Sequence, residues 1–397
     1  MRQFLVLALV AGAFSGAGAQ PVAEPPRPAA AASDQGQPDA PRDGLARFRD
    51  PQEGQLDLSY FLENPRGFLP VPIVVTEPAV DYGGGVAVMF VRPREEAGAE
   101  GWDRPNISAV GAVATQNGTW GGLAGDASRW MDGRLRTQVG GGTGQINLDF
   151  YGLGPDRFSL DEKVRYSLQF TGAIAQANWQ LAPKSPWAVG LRYVYADVDP
   201  KLRDDPIFPG LADRARVRIS APTAVVEYDS RDNVFTPTRG VYAESSWMAS
   251  REALGATDDF ERFDQIVMGW HQFAPSWTIG ARGNYAWSSP RTPFFMRPFV
   301  QLRGVPAMRY QGDSAASVEA ELRWQFSGRW SLVGFGGFGS TRTSRETFSA
   351  TQSVGSGGLG FRYELARKFG LHVGLDVAHS TGTTAVYLQI GNAWFRP

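Results

Sequence analysis

Residues 228–242 read YDSRDNVFTPTRGVY, and residues 301–327 read QLRGVPAMRYQGDSAASVEAELRWQFS. In the second stretch Val318, Ala320, Leu322, Trp324 and Phe326 fall on one face of an extended chain. Glu319, Glu321, Arg323 and Gln325 fall on the other. A strict period of two is the pattern of a β-strand with one apolar and one charged face. In the first stretch Asp229, Arg231 and Asp232 stand between two such runs. Pro237 cannot donate to a ladder, and Gly240 frees the backbone where the next strand begins, so the stretch reads as a turn.

The same alternation recurs outward in both directions, in QINLDFY (145–151), WTIGARGNYAW (277–287), GGLGFRYEL (357–365) and GLHVGLDVA (370–378). Sixteen strands are expected, at 77–92, 106–116, 118–130, 132–141, 145–152, 163–181, 187–199, 214–229, 238–251, 259–274, 277–289, 316–327, 329–341, 353–366, 370–379 and 384–395. Every second connection is short: QNG, GGTG, LAPKSPW, the DSRDN turn, FAPS, SGR and ARKF. The alternate ones include 93–105, 152–163, 200–213, 252–258, 289–315 and 342–352. Short turns at one end and long loops at the other suit an all-β, closed 16-stranded antiparallel transmembrane β-barrel. A soluble sandwich also alternates, but it has no reason to sort its loops by length. Lipid offers no hydrogen bonds, so such a sheet must close on itself. The charged faces, with Arg136, Glu319, Glu321, Arg323, Arg362 and Asp376 among them, then line the lumen.

Composition agrees. The chain has 397 residues, no cysteine, 47 glycines and 48 aromatics, with a mean hydropathy of −0.26 and no unbroken apolar run of membrane-helix length after the N-terminus. Residues 1–19, MRQFLVLALVAGAFSGAGA, have the charge, apolar run and small residues of a signal peptide. An exported chain of this size without disulfides needs another source of stability, which a barrel supplies. Residues 20–65 are expected to form a disordered Pro/Ala-rich leader and 66–397 the barrel. A net charge of −1 leaves no broad basic field, and nucleic acid is not an expected partner.

These residues resemble the BamA/TamA-like superfamily of outer-membrane assembly barrels, also called bacterial surface antigen proteins. The pattern D-x-R-D-x-x-x-x-P-x-x-G matches the family's periplasmic turn at Asp229, Arg231, Asp232, Pro237 and Gly240. Leu302-Arg303-Gly304-Val305 resembles the family's V-R-G-F loop tip, with Val in place of Phe. The resemblance implies that loop 289–315 folds into the lumen as a plug, with Arg303 and Gly304 at its tip. Glu321 aligns with the family's acidic residue on the twelfth strand and is the expected partner, with Asp376 as the fallback. The family's second acidic residue, on the next strand, is missing from FGGFG (335–339). Trp394 and Phe395 resemble the C-terminal aromatic signal of outer-membrane barrels. The short leader holds no compact module of the kind many relatives carry before the barrel.

The resemblance further implies localisation in the bacterial outer membrane and a role in inserting or translocating polypeptides or lipids. The expected partners are outer-membrane lipids, with client polypeptides or a periplasmic factor. The expected mechanism uses a weak seam between the first and last strands, 77–92 and 384–395. A passive channel or structural barrel is the alternative. No enzyme activity, cofactor or metal site is expected: His271, His372 and His379 are scattered. Ser380, His379 and Asp376 form a serine-hydrolase set only on paper, because His379 ends a strand.

Overall fold

The computed structural model describes residues 44–63, 68–92, 106–150, 164–202, 216–344 and 349–394. Sixteen antiparallel strands follow one another in a single sheet in chain order. They are β1 (Phe68–Val75), β2 (Gly83–Arg92), β3 (Asn106–Thr115), β4 (Trp120–Trp130), β5 (Leu135–Phe150), β6 (Val164–Gln180), β7 (Trp187–Leu202) and β8 (Val217–Asp229). The second half comprises β9 (Arg239–Ser250), β10 (Phe260–Ala274), β11 (Trp277–Ser288), β12 (Ser314–Ser327), β13 (Trp330–Ser344), β14 (Ser349–Ala366), β15 (Leu371–Ser380) and β16 (Thr383–Ile390). Every neighbouring pair is joined by a ladder. Among the described residues no ladder joins β16 to β1, so the barrel is nearly closed, with one seam.

The count of sixteen is met by a different partition. Expected strands 132–141 and 145–152 are one, β5, whose residues 141–144 pair with β4 on one side and β6 on the other. The Gly-Gly-Thr-Gly run was read as a turn, but its glycines serve close packing. A Cβ on Gly142 would stand 2.7 Å from the Gly122 carbonyl, and one on Gly144 would stand 2.4 Å from that of Trp120. The strand that restores the count is β1, where Pro70 and Pro72 hid the strand pattern. It precedes the expected first strand, whose ladder begins only at Gly83. The QNG turn consequently lies at the opposite end of the barrel from the DSRDN turn, and the 93–105 connection, outside the described residues, joins at the DSRDN end. The expected loops 152–163 and 200–213 fall largely outside the described residues as well. At the other terminus β16 stops at Ile390 rather than 395. Gly391 adopts φ 76°, and the chain turns inward, burying Trp394.

Side chains sort as the alternation requires. On β12 Val318 is 61% exposed and Glu319 only 2%; on β14–β15 Leu359 is 72% exposed and Asp376 not at all. The outward aliphatic rows face lipid, and the charged rows face the lumen. Exposed Trp187, Trp324, Phe326, Trp330 and Phe361 lie toward the DSRDN end. Within this band Trp277 stacks on Trp324 at 5.5 Å, and Trp330 lies 4.9 Å from Tyr363. That is the girdle of a membrane interface.

Residues 44–63, assigned by composition to the disordered leader, are docked at the DSRDN end. They hold a 3-10 turn (Gly44–Phe48) and a short helix, α1 (Ser59–Glu63). The anchor is Arg329, in the β12–β13 turn, with a side chain wholly buried. It reaches Asp50 at 2.5 Å, Glu53 at 2.6 Å and Asp57 at 2.7 Å. Leu58 N–H donates to the Leu365 carbonyl, and Leu58 and Leu62 pack against Phe235, Ala366, Phe369 and Leu371. Composition missed this strap because its stabilising partners lie about 270 residues away, as the Arg329–Asp57 bond shows.

The hydrogen bond from Arg329 holds Glu53 below the ordinary carboxylate range. Burial pushes Asp57 up, but hydrogen bonds from Ser59 and Arg329 outweigh it, and the net direction is down. Both carboxylates therefore stabilise docking at neutral pH, and that contribution is lost as pH falls through their depressed values. Strap docking should be constant from about pH 8 to 6 and weaken below about pH 4. Arg329→Ala should release the strap at neutral pH, at a cost of about 1–3 kcal/mol. Limited proteolysis within 44–63 reads both effects; a strap as protected in the variant as in the parent would contradict them.

Candidate functional site

The longest described connection, between β11 and β12, enters the barrel. Its two legs pair with each other: Val300 N–H donates to the Tyr310 carbonyl at 3.0 Å, and Phe299 bridges Gln311. Its side chains reach opposite walls. Met308 accepts a hydrogen bond from the Tyr166 hydroxyl on β6 at 3.6 Å, and Phe294 packs edge-on to the same ring. On the far side Arg309 donates to Thr383 on β16, and Ala307 N–H donates to Glu77, between β1 and β2. These contacts lie around one rim, and the tip goes deeper, to Glu319, Asp376 and Tyr387 within β12, β15 and β16, so the loop crosses the mouth and enters the lumen.

Arg303 stands at the tip. Its guanidinium lies 2.8 Å from Glu321, 2.7 Å from Asp376 and 3.1 Å from Glu319, and its backbone N–H also donates to Glu319. The flat face covers the Phe335 ring, with the guanidinium carbon 3.5 Å from the centroid. Arg362 forks onto Asp376 at 2.5 and 3.0 Å, and Arg282 lies 3.9 Å from Glu319. Three guanidinium groups thus pair with three carboxylates, a formally neutral set, while the nearby Arg323 donates to the Pro237 carbonyl and the Thr278 hydroxyl. Neutrality matters because each buried ion costs several kcal/mol unless paired.

Gly304 follows in the left-handed region at φ 86°, where a Cβ would stand 3.2 Å from that of Ala378. Its N–H donates to the Tyr387 hydroxyl on β16 at 3.0 Å. The tip is therefore held by β12, β13, β14, β15 and β16, the wall on one side of the seam.

The expected partner Glu321 is present, but it shares the arginine with two others. Glu319 makes more contacts, including one from the Trp394 indole at 2.5 Å. Asp376, the fallback, is fully buried. The FGGFG segment supplies an aromatic face through Phe335, and β15 supplies the carboxylate that β13 lacks. Sequence could not rank these partners, since lumen-facing acids on different strands become neighbours only through register.

The 228–242 turn also folds inward. Asp229 accepts from Arg231 Nε at 2.9 Å and from its terminal nitrogen at 2.7 Å, and Arg231 lies over the Tyr242 ring at 4.5 Å. Far from being solvated, Arg231 has no exposed side-chain surface. Asp232 accepts from Thr238 and Arg239 N–H groups. Val234, Phe235, Thr236 and Pro237 are buried, and Phe235 packs against Leu58 and Leu62 of the strap. Gly240 has φ 100°, and a Cβ there would strike the Ser230 carbonyl at 2.2 Å. Asn233 donates to the Phe369 carbonyl, and Asn392 donates to that of Phe235, so the turn is tied to the β14–β15 turn and to the C-terminal segment.

No hydrolase set forms from Ser380, His379 and Asp376. The Ser380 hydroxyl donates to the Gly355 carbonyl, His379 faces Thr384, and Asp376 is committed to two arginines.

Arg303→Ala should leave three carboxylates against two guanidinium groups and destabilise the barrel by about 3–5 kcal/mol. Adding Glu321→Gln should recover part of the loss by restoring the charge balance. Urea unfolding in lipid vesicles, followed by tryptophan fluorescence, measures both; a double variant less stable than Arg303→Ala would refute the charge argument.

No protein-family profile matches the sequence, and no curated protein matches it. Solved structures do. A BamA from Haemophilus ducreyi lacking POTRA domains 1-3 matches with a TM-score of 0.55 at 11% identity, over 81% of this chain and 68% of that one. CdiB from Escherichia coli matches with a TM-score of 0.57 at 9% identity, over 81% and 62%. CdiB from Acinetobacter baumannii matches with a TM-score of 0.55 at 10% identity, over 81% and 59%. The chain thus spans about six-tenths of the length of the two CdiB chains. At these identities the likeness is one of architecture, and the chain has the fold of the BamA and CdiB barrels.

Proposed function

We propose that the protein works in the bacterial outer membrane, where it assists insertion or translocation of polypeptides or lipids by opening the barrel wall between β16 and β1. The carrying observation is the seam: fifteen neighbouring pairs are laddered, and among the described residues the pair that would complete the ring is not. An unladdered junction in hydrocarbon is the part of the wall with least to lose on opening. The lumen loop supports the same reading. It is clamped to β12–β16 and contacts the β1–β2 turn through Glu77, so it spans the junction from inside. Its partners are outer-membrane lipids and, on this reading, client polypeptides or a periplasmic factor that meets the DSRDN end.

The test is a lock. Cysteines at Val74 and Thr384, both near the far ends of their strands, are joined by a bifunctional thiol reagent in a chain that has no other cysteine. Vesicles containing the unlocked protein should speed the folding of a small eight-stranded barrel, or the scrambling of a fluorescent phospholipid. Locking should return both rates to those of protein-free vesicles. Equal rates in locked and unlocked protein would remove the proposal. A plugged lumen should also conduct little in planar bilayers, and Arg303→Ala should conduct more; a large, unchanged conductance in both would favour a passive channel.

A further inference from the structure

The two strands that border the seam are unequal as edges. Backbone groups of successive residues point to opposite sides of a strand, so each edge presents every second residue. On β1 the Ile73 carbonyl faces β2, 3.4 Å from where Gly84 would carry a Cβ. Residues 69, 71, 73 and 75 therefore serve β2, and Phe68, Pro70, Pro72 and Val74 face the seam. The two middle positions have no N–H. On β15 the Leu375 and Val377 carbonyls face β14 at Gly360 and Gly358. The even residues of β15 therefore serve β16 at 383, 385, 387 and 389. Thr384, Val386, Leu388 and Ile390 face the seam, and each has its N–H.

An antiparallel partner exchanges two hydrogen bonds at each outward residue. β1 fails this requirement in the middle of its edge, and β16 meets it along its whole length. Proline is a known means of blunting an edge against pairing; β16 has no proline, charge or bulge. β16 also carries the composition of a good strand, TTAVYLQI. Meanwhile the strap, which precedes β1 in sequence, docks on the β12–β13 and β14–β15 turns through Arg329 and a backbone bond from Leu58, so it reaches across the seam without a ladder.

We infer that β16, and not β1, is the edge at which an extended segment of another protein adds to the barrel. Four bare donors and acceptors at membrane depth need a partner, and the prolines keep β1 from supplying one. The side chains of β16 define the occupant. Val386, Leu388 and Ile390 point to lipid, while Ala385 and Tyr387 are buried toward the lumen. The added strand must match that sorting: about eight residues, apolar at every second position, as in an unfolded membrane-barrel strand. The choice of partner rests on the client-handling reading above, whereas the inequality of the edges does not.

A photo-reactive benzoylphenylalanine at Leu388 or at Val74, in protein reconstituted into vesicles, tests the assignment against a labelled octapeptide of alternating Thr and Val. Adduct should form from position 388 and exceed that from 74 by about tenfold. Val386→Pro removes a β16 donor and should abolish it, with folding checked by heat-dependent gel mobility. Should that variant not fold, Pro70→Val with Pro72→Val gives β1 a full set of donors; β1 should then compete for β16 and reduce the adduct. Equal or greater adduct from 74, no change in the double-valine variant, or a second copy captured in place of the peptide would each overturn the inference. Adduct at 388 with no acceleration of barrel folding would leave this assignment standing and remove the proposed function instead. Acceleration accompanied by adduct at 74 would do the reverse.

Discussion

A strand in hydrocarbon has nowhere to place its N–H and C=O groups except on another strand, and that constraint orders the whole molecule. It forces sixteen strands into one sheet, and it turns aliphatic rows outward. It also makes the junction between β16 and β1, unladdered among the described residues, the weakest part of the wall. The structure bridges that junction with contacts of another kind. The strap binds from below through Arg329, and the loop binds from inside through Arg303 and Glu77. Both use charge at positions shielded from lipid, where ion pairs can form without exposing an ion to hydrocarbon.

The Arg303 cluster shows why the loop and wall act as a unit. A neutral set of three guanidinium groups and three carboxylates is tolerable only while complete; removing any member leaves a buried charge. The set includes residues of β12, β14 and β15, with Phe335 of β13 and Tyr387 of β16 as neutral supports. Those strands and the loop tip are therefore coupled, whereas among the described residues β1 is laddered to β2 alone and meets that wall through contacts of the strap and loop. If the seam opens, the lowest-cost movement separates β1–β2 from a rigid β12–β16 wall.

Much of this was legible in the sequence. Period-two alternation marked the strands wherever both faces had distinct chemistry, as in SVEAELRWQF, and it placed Glu319 and Glu321 inward. Legibility failed where a residue type had two uses. Glycines 141, 142 and 144 looked like a turn and proved to be close-packing positions in β5. Prolines 70 and 72 fell ahead of the expected first strand and proved to be the outer edge of β1. The strap failed for another reason: Asp50, Glu53 and Asp57 have no apolar pattern, and only the distant Arg329 gives them an ordered place. The loop tip was partly readable, since Arg303 required an acid inside the barrel, but register decided which of three acids it met.

The seam brings these threads together, because its asymmetry arises from the same ambiguity. Proline is costly inside a sheet and harmless on an edge, so two prolines at alternate positions are consistent with a strand that never needed a partner on that side. Any β-branched residue at 70 and 72 would have supplied two further donors to that edge. A plain structural barrel gains nothing from omitting them. A barrel whose wall must part gains a junction held by side-chain ion pairs, which can be released singly, in place of a ladder that must break along its full length. The prolines, the strap and the loop tip are thus three parts of one arrangement, in which the ring is kept together without being sealed.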